Sequence, residues 1–154
     1  MSAFLSYMTP RVESIDLSRT IVERCRKETR GLFGRARYAV ADAFHLDERG
    51  ERYSIAVSQG LMEHFEDDQI GRLIEQQLKV CDRVSFSVPN AAYGKQDFGN
   101  ERLLTVHEWR RLLKGLGFRV SLASDYRPFH WDRRLWRTMF RMPPLMTMCF
   151  VEQA

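Results

Sequence analysis

The residues best placed to do chemistry in this chain are polar groups that close three short apolar segments: Asp16, Asp42 and Ser58. The segments are Arg11-Val-Glu-Ser-Ile-Asp16, Ala36-Arg-Tyr-Ala-Val-Ala-Asp42 and Arg52-Tyr-Ser-Ile-Ala-Val-Ser58. Each is apolar in its second half and is followed by a turn or a helix. A parallel α/β sheet presents ligand-binding groups at the carboxyl ends of its strands, so these three ends are where a nucleotide-like ligand would sit. Close behind Ser58 come Glu63 and His64. An imidazole that titrates near neutrality can take a proton from an attacking hydroxyl or amine. A histidine in such a turn can equally well only pack or hydrogen-bond locally.

The elements that must position these groups alternate along the chain. Ser18 and Thr20 are candidate caps for a helix to about Thr29, with Ile21, Val22 and Cys25 on its inner face. Ile70, Leu73, Ile74 and Leu78 recur at helical spacing behind the acidic start Glu66-Asp67-Asp68. Asp82–Val88 alternates as a strand and stops at Pro89-Asn90. The stretch Asn90–Leu104, with Gly94 and Gly99, reads as a long loop, which in a compact domain usually serves as a lid or binding loop. Thr105 and Glu108 match a capping box, and Gly117 stands where a helix should end. Phe118–Ala123 and Leu145–Val151 are the closing strands, separated by a basic, aromatic excursion from Arg127 to Met142. The alternation predicts a doubly wound, mostly parallel α/β sheet with helices on both faces and an antiparallel last strand.

Composition excludes several classes. At 154 residues, 44% hydrophobic and 29% charged, the chain fits one globular domain, taken as residues 1–154. No window approaches the ~18 consecutive apolar residues of a membrane span, and Met1–Met8 lacks the basic leader and cleavage site of a signal peptide. The net charge of +4 comes from arginines spread along the chain, which argues for a solvated surface rather than a nucleic-acid groove. Cys25, Cys81 and Cys149 have no metal-ligand spacing, so no metal is expected; they read as reduced, buried thiols in a cytoplasmic protein. Asp97-Phe98-Gly99 is not a kinase signature, because the motifs that give it meaning are missing.

With these elements placed, the chain resembles a class I S-adenosylmethionine-dependent methyltransferase with a Rossmann-like fold. Val12-Glu-Ser-Ile-Asp-Leu-Ser18 is similar to that family's second strand with its terminal acid, and Val40-Ala-Asp-Ala-Phe44 to the adenine-side segment after the third. Ala56-Val-Ser-Gln-Gly-Leu-Met-Glu-His-Phe65 is similar to the fourth-strand segment, which often ends in a Leu-Glu-His-like turn. The Phe98–Leu104 loop and the Trp109 helix are similar to those of small-molecule methyltransferases.

The resemblance implies S-adenosylmethionine as cofactor. Asp16, with Leu17, would bind the ribose hydroxyls through charge-assisted bonds, and Asp42 the adenine amino group, with Ala43 and Phe44 lining the base. Ser58 and Gln59 would stand beside the sulfonium. The plainer readings are a capping Asp16, a solvated Asp42 and ordinary polar strand ends. Tyr93, His130 and Trp131 would surround the mouth for a small-molecule substrate, and His64 is the weak catalytic candidate.

The family also has a first strand at the centre of its sheet and a Gly-rich loop after it. Met1–Met8 reads as the helix that follows that loop, so an N-terminally truncated domain is expected, with weakened cofactor binding and two exposed sheet edges open to self-association. Direct pairing of the second strand with the fourth would close that gap instead. A non-catalytic interaction domain, a fragment derived from a methyltransferase, is the competing functional expectation.

Overall fold

The computed structural model describes residues 2–9, 11–31, 36–47, 50–94, 96, 98–126 and 143–153. They fall into two compact units, Met1–Arg49 and Gly50–Ala154, each with its own sheet. Of the expected site residues, His130 and Trp131 lie outside the described residues.

In the first unit, helix α1 (Ser2–Met8) leads to strand β1 (Glu13–Asp16), helix α2 (Arg19–Glu28) and strand β2 (Arg37–Val40). The two strands pair in parallel, with Glu13 opposite Arg37 and Asp16 opposite Val40. Parallel strands need a crossover, and α2 supplies it. Ser18 rather than Thr20 caps that helix, its hydroxyl accepting from the Ile21 amide at 3.4 Å. The expected inner face is corrected in part: Val22 is buried, whereas Ile21 is 48% exposed and Cys25 only half-buried. Successive helical residues point about 100° apart, so Ile21 and Val22 cannot both face the sheet. On the outer side of β2, the Arg26 guanidinium donates to the Tyr38 carbonyl, its Nε at 3.2 Å. That contact occupies part of an otherwise open strand edge.

The second unit contains strand β3 (Tyr53–Gln59), helix α3 (Asp67–Val80), strand β4 (Cys81–Pro89), helix α4 (Val106–Gly115), and strands β5 (Arg119–Tyr126) and β6 (Met146–Glu152). The sheet order is β3-β4-β6-β5. β3 and β4 are parallel, and β6 inserts antiparallel between β4 and β5. The antiparallel last strand expected beside the Phe118 segment is therefore found, and it also pairs with β4. Among the described residues the second and fourth strands expected from the resemblance, β1 and β3, belong to different sheets, so their direct pairing is not adopted.

Both helices of this unit form where their caps require. Gln69 Oε1 accepts from the Glu66 amide ahead of α3 at 3.2 Å. At α4, Thr105 Oγ1 accepts from the Glu108 amide while Glu108 Oε2 accepts from the Thr105 amide, at 3.3 and 2.8 Å. Each side chain satisfies an amide that the helix itself cannot. At the other end Gly117 adopts φ +88°, a conformation that suits a residue without Cβ. α3 buries Ile70, Leu73 and Ile74; Gln77 completes the stripe, and Leu78 is only half-buried. α4 buries Trp109 and Leu113. The Trp109 ring meets Phe86 of β4 edge-to-face, with centroids 5.3 Å apart.

Trp109 is the largest fully buried side chain, yet its Nε1 has no hydrogen-bond partner among the described residues. Its packing must outweigh an unmet N–H. Trp109→Ala is expected to lower unfolding free energy by about 3–5 kcal/mol, and Trp109→Phe by much less, because it removes the orphan donor while keeping a ring against Phe86. Urea denaturation of the three proteins tests this, and equal losses for both variants would contradict it.

Candidate functional site

Parallel pairing brings the chemistry-bearing ends together within each unit. In the first, Asp16 closes β1 opposite Val40, and Asp42 lies two residues beyond Val40, so both carboxylates stand at the carboxyl edge of one sheet. The Ala41 amide donates to the Asp16 carbonyl at 3.1 Å and holds the two strand ends in step. Asp16 Oδ1 accepts from the Ser18 amide at 2.7 Å, which orients the carboxylate at the turn into α2. The bond is local to the turn, and the cap of α2 itself is Ser18. That bond engages one oxygen, and a carboxylate has capacity for more.

Asp42 is held more tightly. Its Oδ1 accepts from the Phe44 amide at 2.8 Å and its Oδ2 lies 3.1 Å from His45 Nδ1. The Phe44 amide, with the His45 ring, favours the charged form and keeps the carboxyl below its ordinary range. Ala43 and Phe44 follow in the same turn and are half-buried, whereas Leu17 is 72% exposed. A cavity of about 190 Å³ is lined by Ala3, Arg26, Arg30, Ala36 and Tyr38. It sits at the amino end of β2, away from the edge that the carboxylates mark, and is a separate feature.

In the second unit the carboxyl ends of β3 and β4 share one edge, tied by the Gly60 amide donating to the Ser87 carbonyl at 2.9 Å. Ser58 and Gln59 end β3 there; Gln59 is exposed, and the Ser58 hydroxyl is buried with no hydrogen-bond partner among the described residues. An orphaned buried hydroxyl at a strand end is an unusual cost, and a polar ligand would meet it. Tyr93 sits in the short turn Ala91–Tyr93 after β4, on the same edge. Asn90 fixes that turn: its Oδ1 accepts from the Ala92 amide at 2.9 Å, and its Nδ2 donates to the Pro144 carbonyl at 2.9 Å and to Asp125 at 3.2 Å.

The turn after β3 and the loop after β4 also meet. The Arg102 amide donates to the Glu63 carbonyl at 2.8 Å, and the Arg102 side chain reaches the Phe65 carbonyl at 3.0 Å and Asp67 at 2.6 Å. His64 Nδ1 lies 2.8 Å from Asn100 Oδ1, and its ring meets Phe98 edge-to-face with centroids 5.8 Å apart. Glu101 organises the loop, accepting from the Phe98 amide at 2.7 Å and the Gly99 amide at 3.0 Å. Burial alone would raise the Glu101 carboxyl, but these amides hold it below its ordinary range. Sequence reasoning singled out His64 but missed Asn90, Phe98, Asn100 and Glu101 as site-building residues. The available signals were the loop's length and the resemblance of Phe98–Leu104 to the loop of small-molecule methyltransferases, and neither says how the loop folds.

Among the described residues no group of three or more His, Cys, Asp or Glu could hold a metal ion, and no helix is long and apolar enough to cross a membrane. Within the first unit, the two carboxylates at one sheet edge suit the hydrogen-bond donors of a nucleoside; within the second, the Ser58 hydroxyl at the end of β3 has no partner among the described residues.

Known proteins share the fold. A family model described as a methyltransferase domain matches residues 1–83, more than half of the chain. The magnesium protoporphyrin IX methyltransferase of Synechocystis PCC 6803, solved with bound SAH, superposes with a TM-score of 0.68 at 13% identity, covering 99% of this chain and 68% of that one. An S-adenosylmethionine-dependent methyltransferase from Mesorhizobium loti gives a TM-score of 0.66 at 17% identity, over 92% of this chain and 80% of that one. Another from Clostridium acetobutylicum gives 0.70 at 10% identity, over 97% and 78%. At such identities the structures speak for the fold alone. A search of curated proteins finds no match.

Glu63 supplies a test of the local electrostatics. It is buried, its Oε2 has no partner among the described residues, and desolvation, aided by the neighbouring Glu101, raises its carboxyl above the ordinary value of 4.5. A group whose folded pKa is raised stabilises the fold fully below its unfolded pKa, and that stabilisation is lost as pH rises through the folded value. Glu63→Gln has no such titration. The stability difference between variant and wild type should therefore move in the variant's favour as pH rises from below 4.5 toward neutrality. Thermal unfolding across that range reads it, and a difference that does not change with pH would contradict the assignment.

Proposed function

This chain belongs to the methyltransferase-domain family, and from that premise we propose that it transfers a methyl group from S-adenosylmethionine to a small-molecule acceptor, acting as one domain across residues 1–154. The observation that carries the reading is the pair Asp16 and Asp42 at the carboxyl edge of one parallel sheet. Asp16 accepts from the ribose hydroxyls, with Leu17 beside it. Asp42 accepts from the adenine amino group, and Ala43 and Phe44 line the base. In the second unit, Ser58 and Gln59 serve the sulfonium end, where the buried Ser58 hydroxyl, without a partner among the described residues, offers a polar contact. The cofactor supplies a methyl group activated by its sulfonium charge. The chain's own work is then to bind and orient, since transfer to a nucleophilic atom gains most from positioning.

Tyr93, and in sequence His130 and Trp131, are assigned to the acceptor. The free thiols Cys25, Cys81 and Cys149 suit a reducing, cytoplasmic setting. A second reading, a non-catalytic interaction domain, is favoured by one observation: β3 is an edge strand of its sheet and exposes Ile55 and Val57, at 41% and 47%. Uncharged edges of this kind invite pairing with another chain, here self-association.

Calorimetry with S-adenosylmethionine separates the two. Removing one charge-assisted partner costs about 1.5–3 kcal/mol, so Asp16→Ala should weaken binding roughly 10- to 150-fold. Asp16→Asn should lose less, because it keeps an acceptor oxygen. Undetectable binding by the wild type, with concentration-dependent dimerisation in sedimentation, would favour the interaction domain.

A further inference from the structure

Among the described residues Phe98 is the most exposed of the large hydrophobic side chains, at 83%. Hydrogen bonds hold its neighbours in place. The carboxylate of Glu101, itself only 6% exposed, accepts from the Phe98 and Gly99 amides, and Gln96 Nε2 donates to the Glu101 carbonyl at 2.8 Å. The loop spends a buried charge on holding an aromatic ring in water. Leaving such a ring in water forgoes about 2 kcal/mol of burial, a cost that a bound apolar partner would recover.

The only ring in contact with Phe98 among the described residues is His64, which meets it at an interplanar angle of 74°. An edge-to-face contact of this kind leaves room for a planar ligand to stack on Phe98. The histidine is prepared in another way. An amide oxygen only accepts, so at 2.8 Å from Asn100 Oδ1 the His64 Nδ1 carries the hydrogen. In the neutral ring this leaves the lone pair on Nε2. The whole assembly belongs to the turn after β3 and the loop after β4, at the carboxyl ends of two parallel strands. That edge is where open α/β sheets bind ligands.

We propose that the acceptor is a planar aromatic hydroxyl compound, a phenol, stacked on Phe98 with its hydroxyl directed to His64 Nε2. The inference rests on the methyl-transfer reading and deepens it. The O–H bond breaks, its proton goes to Nε2, and the pair left on oxygen forms the bond to the methyl carbon. The carbon–sulfur bond breaks as that bond forms, and its pair remains on sulfur. Phe98 and His64 touch the acceptor. Asn100, which sets the tautomer, and Glu101, which sets the loop, are positioning residues.

The test uses 7-hydroxycoumarin, a planar phenol whose protonated and ionised forms absorb at different wavelengths. The full chain is titrated into the probe without S-adenosylmethionine, at a pH where the free probe is mostly protonated. Saturable binding with a rise in the phenolate band is expected. Phe98→Ala should weaken binding about tenfold, the loss of one stacking contact at about 1.4 kcal/mol per decade; the ring is exposed, so the fold does not depend on it. His64→Gln should still bind but lose the rise in phenolate. Asn100→Ala should reduce that rise while leaving affinity within about threefold, a difference of under 1 kcal/mol.

Unchanged affinity in Phe98→Ala, a phenolate band that persists in His64→Gln, or no binding by the wild type would overturn the proposal. Calorimetry with S-adenosylmethionine on the same samples keeps the two readings apart. Cofactor binding without probe binding defeats the aromatic acceptor alone. Probe binding without cofactor binding defeats methyl transfer and leaves an aromatic-binding site.

Discussion

Parallel strand pairing is the constraint on which the rest of this structure depends. Two parallel strands end on the same side, so the residues that leave each strand are gathered at one edge without any further device. β1 with β2 brings Asp16 and Asp42 together in this way, and β3 with β4 brings the Ser58 end together with the turn at Asn90. The same pairing demands crossovers, and helices α2 and α3 supply them. Each helix must in turn be started cleanly, and the residues at the edge do so: Asp16 orients the Ser18 amide, and Ser18 caps α2. The strand end and the helix cap are thus tied together, and a change at Asp16 also loosens the amide of the capping residue Ser18.

The second unit shows how a rigid edge is maintained. α3 and α4 bury their apolar stripes against the sheet, and β6 locks β4 to β5 by antiparallel ladders on both sides. Beyond the ladder, side chains take over. Asn90 joins the end of β4 to the entry of β6 through Pro144, and Arg102 joins the loop to the turn at Phe65. These bonds satisfy buried polar groups that would otherwise be costly. Among the described residues four buried side-chain atoms have no partner: Gln77 Oε1 and Trp109 Nε1 on the helices, and Ser58 Oγ and Glu63 Oε2. The last two lie where β3 gives way to the turn, the place where a ligand would complete them.

Much of this was legible in the sequence, because the signals were local. Thr105 and Glu108 stand three apart and cap α4 as their spacing required, and Gly117 ends it. The apolar rhythm of Ile70, Leu73 and Ile74 marked the buried face of α3, and a polar residue after each apolar run marked a strand end. Local rhythm failed at α2, where Ile21 and Val22 compete for one direction and only Val22 is buried. It said nothing of Phe98 and His64, which are 34 positions apart and meet only because two loops share an edge. Nor could it show that Glu101 would turn inward to bind its own loop's amides, since an acid in a polar stretch reads as solvated. The separation of the strands into two sheets also follows from pairing partners that no short window contains.

The central claim is that the carboxyl edge of the first unit's sheet receives the nucleoside of the methyl donor. It is tested most directly by two-dimensional amide NMR during a titration with S-adenosylhomocysteine, the product form of the cofactor. The amides of Ser18 and Phe44 donate to Asp16 and Asp42, so each reports on its carboxylate. Saturable shifts of both at a common ligand concentration, reduced in Asp16→Ala, are predicted. Shifts confined to the residues around Arg26 and Tyr38, or none at saturating ligand, would contradict the account.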